Sequence, residues 1–401
     1  MPQRDGGPVK TRIVTAFAGG DADAAAATLA EHLTQQLDGQ EAAFALVFAS
    51  TAQPLSVLMP ALKARLPRTR LIGSSTAGEF TEAGEQKGSV VVVAVAGNYE
   101  LHAALSRGIS ADAVGAVERA AAALPASRPG KPHRTGILLL DPLAGRSEEV
   151  TLTAAVVLGP DVSLVGGAAG DDLHMQRTEV ALDGEVASDA LVLAVVYSDV
   201  PLGIGVHHGH QPVSRGLEVT RAVGNVVYEI EGRPAWQVWC EHTREIAASA
   251  GMDVATLPAD QVGAFLLRFE AGLATGTAFK IRAPLSRGED DSLSFACGIP
   301  EGTVIRITEG VPVGQIDSAR AAARQARVQL AAPCAGAVVF DCICRNLILG
   351  SRFYEAVSAI SSELDGAPLA GFETYGEIAL DVGDMSGFHN TTSVVLAFPV
   401  G

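Results

Sequence analysis

One short stretch of this sequence occurs twice in nearly the same form, as GSSTAGEF at 73–80 and GFETYGEI at 371–378. Each copy follows a compact aliphatic run, AFALVFAS (43–50) or GAVVFDCICR (336–345), and a segment with apolar residues at helical spacing. Another buried run closes each unit, GSVVVVAVAG in the first case and NTTSVVLAFPVG in the second. The repetition predicts a β-α-β-loop-β unit that the chain uses more than once.

A third, weaker copy lies between these two, from TGILLLD (135–141) through SEEVTLTAAVVLG and VSLVGGAAGDD to DALVLAVVYSD. After it, VTRAVGNVVYEIEGRPAWQVWCEHT predicts two strands and a helix, with Trp236 and Trp239 as core or interface anchors. FLLRFEAGL, GTAFKIRAPL and the runs that follow predict an antiparallel meander. The fold class is therefore mixed α/β, with two packed domains built from repeated β-α-β-loop-β units and an antiparallel β-rich insert in the C-terminal half.

Composition and charge narrow the classes of function. The chain has 401 residues, of which 48% are hydrophobic, and this supplies enough apolar surface for the cores of two or three domains. A formal net charge of -16 disfavours a surface for nucleic acid or anionic lipid, because both need clustered Lys and Arg. The N-terminus lacks the apolar core of a secretory signal, and no apolar run approaches the roughly 20 residues of a membrane span. We expect a cytoplasmic protein with reduced cysteines and no membrane insertion.

The loops of the three units share one chemical form. GSSTAGE, GGAAGD and GFETYGE each carry glycines followed by a carboxylate, namely Glu79, Asp171 and Glu377. Glycine lets such a loop turn sharply and present backbone N–H groups, so the loops are candidate ligand cradles, with Thr76 as a further candidate in the first. The alternative is a tight turn whose carboxylate caps neighbouring backbone.

Two groups of polar residues follow neighbouring strands of the third unit, and the ends of such strands meet at a sheet edge where ligands usually bind. Arg345 facing Glu377 would hold the carboxylate and the amine of a zwitterionic ligand. The alternative is an internal ion pair of Arg345 with Glu377 that only fastens the unit. The two groups are Asp341, Cys342 and Arg345, and Tyr375, Glu377, His389 and Asn390.

Two further clusters contain side chains of the types that act as nucleophiles or metal ligands. Cys342 with His389 as its base would form a thiol nucleophile, although a buried cysteine in a strand is more often an apolar filler. Cys342 and Cys344, two apart in the predicted strand, would share a face but supply only two soft metal ligands. In GVHHGHQ, His208 and His210 would also share a face, and a third ligand is not evident. We therefore predict no metal site and favour His208 as a hydrogen-bonding group.

The sequence contains none of the common cofactor or hydrolase motifs. GxxxxGK[ST], a strand-linked GxGxxG and GxSxG are all missing, so no cofactor is predicted.

Several motifs in order give the chain a family resemblance: GSSTAGE, GGAAGDD, GVHHG, VTRAVGNVVYEIEGRPA, FDCICR, and GFETYGEI followed by FHNTT. The sequence resembles a FIST protein, a member of a family of predicted sensory domains in bacterial signalling. The resemblance implies an N-terminal segment at 1–41, a FIST N-terminal domain at 42–234 and a FIST C-terminal domain at 235–401. It also implies binding of small ligands, with amino acids as one candidate class, and it brings no defined catalytic residues.

We favour a ligand-binding sensor whose signal a separate protein partner reads, because this sequence shows no kinase, cyclase or F-box segment beside the FIST region. An uncharacterised enzyme that uses Cys342 or Glu377 is the first alternative. A scaffold that recruits another protein is the second.

Overall fold

The computed structural model describes residues 10–275, 278–380 and 387–401. Parts of three sequence predictions lie outside the described residues, namely 1–9 of the N-terminal segment, 276–277 of the predicted strand GTAFKIRAPL, and 381–386 after the third loop.

The first repeat contains an edge strand, a helix, a central strand, a second helix, a second strand, a short hairpin and a closing strand. They are β1 (Arg12–Gly19), α1 (Ala22–Gln36), β2 (Phe44–Ala49), α2 (Leu55–Arg65), β3 (Arg70–Ser75), β4 (Glu79–Thr81), β5 (Gly84–Gln86) and β6 (Ser89–Ala96).

The second repeat has the same order of elements. They are β7 (Tyr99–Arg107), α3 (Ala113–Ala122), β8 (His133–Leu140), α4 (Ser147–Leu158), β9 (Ser163–Ala168), β10 (Val180–Leu182), β11 (Glu185–Ala187) and β12 (Ala190–Ser198).

The third repeat begins with β13 (Gly203–His208) and is then interrupted by an insert. The insert contains β14 (His210–Pro212), β15 (Leu217–Val223), β16 (Val226–Ile230), β17 (Arg233–Pro234), α5 (Ala235–Ser249), α6 (Val262–Arg268), β18 (Phe269–Thr275), β19 (Ala278–Arg282), β20 (Pro284–Arg287), β21 (Leu293–Phe295) and β22 (Val304–Gly310). The repeat resumes with α7 (Pro312–Arg327), β23 (Cys334–Cys342), α8 (Ile343–Leu349), α9 (Phe353–Glu363), β24 (Leu369–Thr374), β25 (Glu377–Leu380), β26 (Gly387–His389) and β27 (Thr392–Pro399).

Each repeat sends its short hairpin into the sheet of another repeat. The hairpin β10–β11 extends the first sheet beyond β3, β25–β26 extends the second beyond β9, and β4–β5 extends the third beyond β24. The sheet orders are β1-β6-β2-β3-β10-β11, β7-β12-β8-β9-β25-β26 and β13-β27-β23-β24-β4-β5. The three repeats therefore hold one another in a closed cycle of exchanged hairpins.

The glycine-rich loops are the points where the chain leaves its own sheet. They contact one another through the backbone: Ala77 N–H donates to the Glu373 carbonyl (3.0 Å), Gly170 N–H to Ser75 (3.0 Å), and Tyr375 N–H to Ala168 (3.1 Å). The repeated loop motif thus has a structural role at the crossings, in addition to any role in binding.

A shared core explains the long apolar runs of the sequence. One face of each sheet packs into a common cluster, in which the Phe48 ring lies 4.4 Å from Phe372 and 6.3 Å from Phe340, measured between centroids. The opposite faces carry α1 with α2, α3 with α4, and α7 with α9. Strands covered on both faces need apolar side chains on both, as in SVVVVAVA of β6.

The insert forms a sheet and a core of its own, in the order β19-β18-β22-β15-β16-β21-β20. Trp236 and Trp239 lie in that core, and Trp239 Nε1 donates a hydrogen bond to the Phe269 carbonyl at 3.2 Å. The predicted boundary at 234/235 falls inside this insert, since β14–β17 precede it and pair with strands that include β21 and β22.

Two local predictions are wrong. The strand predicted at 336–345 ends at Cys342, and α8 starts at Ile343, so Cys344 is helical and does not share a strand face with Cys342. The FLLR part of FLLRFEAGL is the end of α6, with β18 starting at Phe269. Short apolar runs do not distinguish a strand from a buried helical turn.

Gly170→Ala tests the close approach of two crossing loops. An added Cβ would lie 2.5 Å from the Ala77 backbone nitrogen, so the backbone has to shift, and we expect a loss of roughly 1–3 kcal/mol in the free energy of unfolding. Urea unfolding followed by circular dichroism measures the loss. Gly184→Ala is the matched control, because its nearest contact is Pro60 Cα at 3.8 Å. Equal stability of the two variants would contradict a steric requirement at the crossing.

Candidate functional site

An open cleft of about 490 Å³ lies where the second repeat, the insert and the third repeat meet. Its walls are mainly apolar, with a few polar groups, which is the usual composition of a small-molecule site. The lining residues are Pro142, Leu143, Leu173, Met175, Gly263, Ala264, Leu267, Glu270, Ala283, Pro284, Leu285, Ala296, Cys342, Ile343, Cys344, Leu347, Tyr375 and Asn390.

The cleft gathers several of the exposed large apolar side chains of the protein. Leu143, Leu173, Met175, Leu285 and Leu347 line it with 38 to 52% of their surface exposed. Single exposed apolar residues are ordinary, whereas a group around one concavity marks a binding surface.

A strained loop forms one wall. Asp172, Leu173 and Met175 have φ values of +52°, +66° and +53°, which L-residues with long side chains rarely adopt. Backbone strain of this kind persists where surrounding bonds enforce it, and it is common at ligand sites.

The hydrogen bonds that hold the loop in this strained conformation involve Asp171 and Tyr375, both predicted site residues. The Asp171 carboxylate accepts hydrogen bonds from the backbone N–H groups of Met175 (2.8 Å), Gln176 (2.6 Å) and Arg177 (2.9 Å) and from the Tyr375 hydroxyl (2.6 Å). Burial opposes ionisation of Asp171, but the Tyr375 hydroxyl and these N–H groups outweigh it and lower the pKa of the carboxyl. The second and third glycine-rich loops therefore meet at the cleft.

Glu270 on β18 lines the cleft and is fully buried. Its Oε1 accepts a hydrogen bond from Thr391 Oγ1 at 2.9 Å, while Oε2 has no hydrogen-bond partner in the described part of the chain. His210 Nε2 lies 3.5 Å from Oε2. Burial, with the nearby charge of Glu377, raises the pKa of Glu270 to about 8, and burial lowers the pKa of His210 well below 6.5. Sequence reasoning missed Glu270, although an acidic residue in the apolar run FLLRFEAGL was the available signal.

Glu377 fastens its own loop. Its carboxyl accepts hydrogen bonds from Thr374 Oγ1 and from the Thr392 backbone N–H at 3.1 Å, and it does not line the cleft. Burial, followed by the nearby Cys342, raises the pKa of Glu377 well above its usual value.

The first repeat repeats this arrangement with Thr76 and Glu79. Thr76 Oγ1 and Ser89 Oγ donate to the Glu79 carboxyl, the latter at 3.1 Å, and burial raises the pKa of Glu79 to about 8. In the second repeat, the Asp141 carboxylate makes the corresponding contact, because it accepts a hydrogen bond from the Asp189 N–H at 2.6 Å, just before the closing strand. The predicted candidates Thr76 and Glu79 lie away from the cleft and tie a loop to the start of a closing strand.

Arg345 does not pair with Glu377, contrary to the predicted contact. Its Nε donates to Asp341 Oδ1 at 2.8 Å. Its Nη1 donates to Gln315 Oε1 (2.8 Å) and Ser318 Oγ (2.7 Å), and Nη2 donates to the Gln315 carbonyl (3.0 Å). Because α8 starts directly after β23, Arg345 lies one helical turn from Asp341 and faces α7. The fully buried guanidinium therefore makes its hydrogen bonds with groups of the protein itself.

The three predicted histidine and amide residues are placed differently. Asn390 lines the cleft, and its Oδ1 accepts a long hydrogen bond from the Ala283 N–H at 3.4 Å. His389 is fully buried outside the lining, and burial together with Lys280 and Arg282 lowers its pKa to about 3. His208 also lies outside the lining, and burial lowers its pKa to about 4. Within the described ranges, no group of three His, Cys, Asp or Glu side chains has the geometry to hold a metal ion.

Comparison with protein-family models gives the family. The FIST N domain matches residues 43–233, and the FIST C domain matches residues 235–380. This chain belongs to the FIST family. FIST domains are associated with sensing of small ligands in signal transduction.

The relatives of this FIST protein include three uncharacterized proteins. MJ1623 of Methanocaldococcus jannaschii is 30% identical over 161 residues, which cover 37% of this chain and 30% of the relative. MT0656 and Rv0628c, from two strains of Mycobacterium tuberculosis, are 27% identical over 245 residues, which cover 60% of this chain and 61% of each relative. The chain thus matches less than two thirds of the length of each of these relatives. Among the described helices, none is long and apolar enough to cross a membrane.

The cleft is shared between the two FIST segments. Leu143, Leu173 and Met175 come from the FIST N segment, and Glu270 and Cys342 come from the FIST C segment. A molecule that fills the cleft would therefore contact both.

Glu377→Gln tests the buried carboxyl. A raised pKa in the folded state means that the proton favours folding, so the carboxyl makes the protein less stable as pH rises above its usual value of 4.5. The variant should match the wild type near that pH and gain relative stability as the pH rises above it. Urea unfolding across this range is the measurement, with Glu118→Gln, an exposed site on α3, as the control. A constant difference between Glu377→Gln and the wild type would contradict a buried neutral acid.

Cysteine alkylation tests the thiol-nucleophile hypothesis. Burial and the neighbouring Cys344 raise the pKa of Cys342 well above 9, so little thiolate is present near neutral pH. Cys344 is partly exposed. Iodoacetamide should modify Cys344 at least about tenfold faster, measured by mass spectrometry on Cys342→Ser and Cys344→Ser variants, with urea-unfolded protein as the control. Faster modification of Cys342 in the folded protein would restore the nucleophile hypothesis.

Proposed function

We propose that this FIST protein is a sensor that binds a small molecule in the cleft between its FIST N and FIST C segments and transmits binding to a separate protein partner. The observation that carries the proposal is the shared, mainly apolar cleft with a buried carboxyl, Glu270, among its lining residues. A ligand that contacts both segments stabilises the arrangement in which both contacts are made.

The strained loop is the element whose conformation we expect to change when a ligand binds, and this change would transmit the signal to the partner. Leu173 and Met175 line the cleft and adopt left-handed backbone conformations. The Leu173 N–H donates to the Tyr375 hydroxyl at 2.8 Å, and the Met175 N–H donates to the Asp171 carboxylate, which also accepts from that hydroxyl. Tyr375 itself lines the cleft. A ligand against these side chains changes the balance between loop conformations, and a partner that recognises one conformation reads the change.

The ligand class proposed here is broader than the amino acids that the sequence suggested. The amino-acid hypothesis used Arg345 to hold a carboxylate, and Arg345 already donates to Asp341, Gln315 and Ser318. The cleft walls instead favour a molecule with an apolar body. A cytoplasmic location is part of the proposal, and the five free cysteines support it because reduced thiols are typical of that compartment.

Leu347→Trp tests the cleft as the binding site. Leu347 lines the cleft and is 48% exposed, so a larger side chain fills the space without entering the core. A panel of metabolites is first screened by thermal unfolding of the wild type, where a ligand at 100 times its Kd adds about 2.7 kcal/mol. The variant should fold normally and lose the stabilisation.

Tyr354→Trp on α9 is the matched control, since Tyr354 is 61% exposed and outside the cleft. A stabilising ligand that acts equally on Leu347→Trp and the wild type binds elsewhere and contradicts the proposal. A panel without any stabilising compound counts against small-molecule sensing and directs the search to protein partners.

A further inference from the structure

We propose that the ligand of the cleft carries a primary ammonium group on an apolar body, and that the Glu270 carboxylate is the counterion of that ammonium. This inference rests on the proposed function of the cleft and names the chemical class of its ligand. It concerns a residue that the sequence did not single out.

The first observation is the incomplete hydrogen bonding of Glu270. A buried carboxyl is stable when both oxygens find donors, and an unsatisfied oxygen costs free energy. Thr391 Oγ1 donates a hydrogen bond to Oε1 at 2.9 Å. Oε2 is inaccessible to solvent, and it has no hydrogen-bond donor in the described part of the chain. Glu270 lines the cleft but is covered, so a donor on a bound molecule completes its hydrogen bonding when a neighbouring lining side chain shifts.

The second observation is the charge around Glu270. His210 on β14 lies 3.5 Å from Oε2, Thr391 before β27 is neutral, and Glu377 on β25 adds a second carboxyl to the surroundings. Among the described residues, no Arg or Lys forms an ion pair with Glu270. The nearby guanidinium groups are used elsewhere: Arg345 pairs with Asp341, and Arg282 pairs with Glu148.

These surroundings select the head group of the ligand. A carboxylate or phosphate would lie beside Glu270 without a cation to pair with among the described residues, because Arg345 and Arg282 already have carboxylate partners. An ammonium offers three donors and a compensating charge, and Asn390 Oδ1, which accepts only a 3.4 Å hydrogen bond from Ala283, is a second acceptor on the lining. The apolar walls then hold the hydrocarbon part of the ligand.

Proton release is the expected signature of such binding. Burial raises the pKa of Glu270 to about 8, and burial keeps His210 neutral, so the free protein holds a proton on Glu270 at neutral pH. An ammonium, with a pKa of roughly 10, displaces that proton. The affinity for an amine should therefore rise roughly tenfold per pH unit below about 8 and become constant above it.

The experiment compares three probes that share one apolar body: 3-phenylpropylamine, 3-phenylpropan-1-ol and 3-phenylpropanoate. Thermal unfolding and titration calorimetry on the full chain measure binding from about pH 6 to about pH 9. The wild type should bind the amine at least about tenfold more tightly than the alcohol, and the propanoate should be weakest. Glu270→Gln should remove the preference for the amine and its pH dependence.

Glu270→Gln keeps an oxygen for the Thr391 hydrogen bond, so the fold should be retained. Glu309→Gln is the matched control, because Glu309 lies on neighbouring β22, pairs with Arg268 and does not line the cleft. The pH dependence of amine binding to the wild type gives an independent readout if Glu270→Gln is unstable.

The possible results separate this inference from the proposed function. If the alcohol or the propanoate binds as tightly as the amine, the cleft is a ligand site and the ammonium assignment is overturned. Amine binding that is unchanged in Glu270→Gln also overturns it. If none of the three probes binds, the ammonium assignment fails, while the metabolite panel with Leu347→Trp still decides whether the cleft is a sensor site.

Discussion

The exchange of hairpins among the three repeats is the constraint on which the rest of this structure depends. The edge strand of a β-sheet presents unpaired N–H and C=O groups that readily pair with another strand, and proteins therefore cover long apolar edges. Here β3, β9 and β24 are each covered by a hairpin from another repeat. Each of the three sheets therefore contains strands from two repeats, and the common core is built from all three.

The exchange also explains why the glycine-rich motif is repeated. Each loop carries the chain from one sheet to the next, where backbones approach within hydrogen-bonding distance, as at Gly170 and Ser75. Glu79 and Glu377 tie their loops to the starts of closing strands, and burial raises the pKa of both carboxyls. The exchange of hairpins is therefore sufficient to explain the repeated motif, and the presence of three copies does not imply three ligand sites.

The insert breaks the symmetry and creates the cleft. It enters between β13 and α7 and brings α6, β18 and β20 against the ends of strands from the second and third repeats. Through β18 it places Glu270 at the cleft and, through Thr391, in contact with the third repeat. The structural asymmetry of a scaffold with three repeats thus follows from one interruption of one repeat.

The sequence by itself determined the repeating unit, the mixed α/β class and the β-rich insert, because apolar period and glycine position are local properties of a chain. It also brought Asp341, Cys342, Tyr375 and Asn390 to one region, since the ends of neighbouring strands share a sheet edge. Only the tertiary structure decided which sheet each hairpin joins, because three-residue strands such as EFT and VAL carry no information about their partner. Tertiary structure also decided the partner of Arg345 and left Glu270 Oε2 without a hydrogen-bond partner in the part of the chain that the structure describes. Charge pairing depends on where helices begin and which surfaces meet, and these are set by packing between segments far apart in sequence.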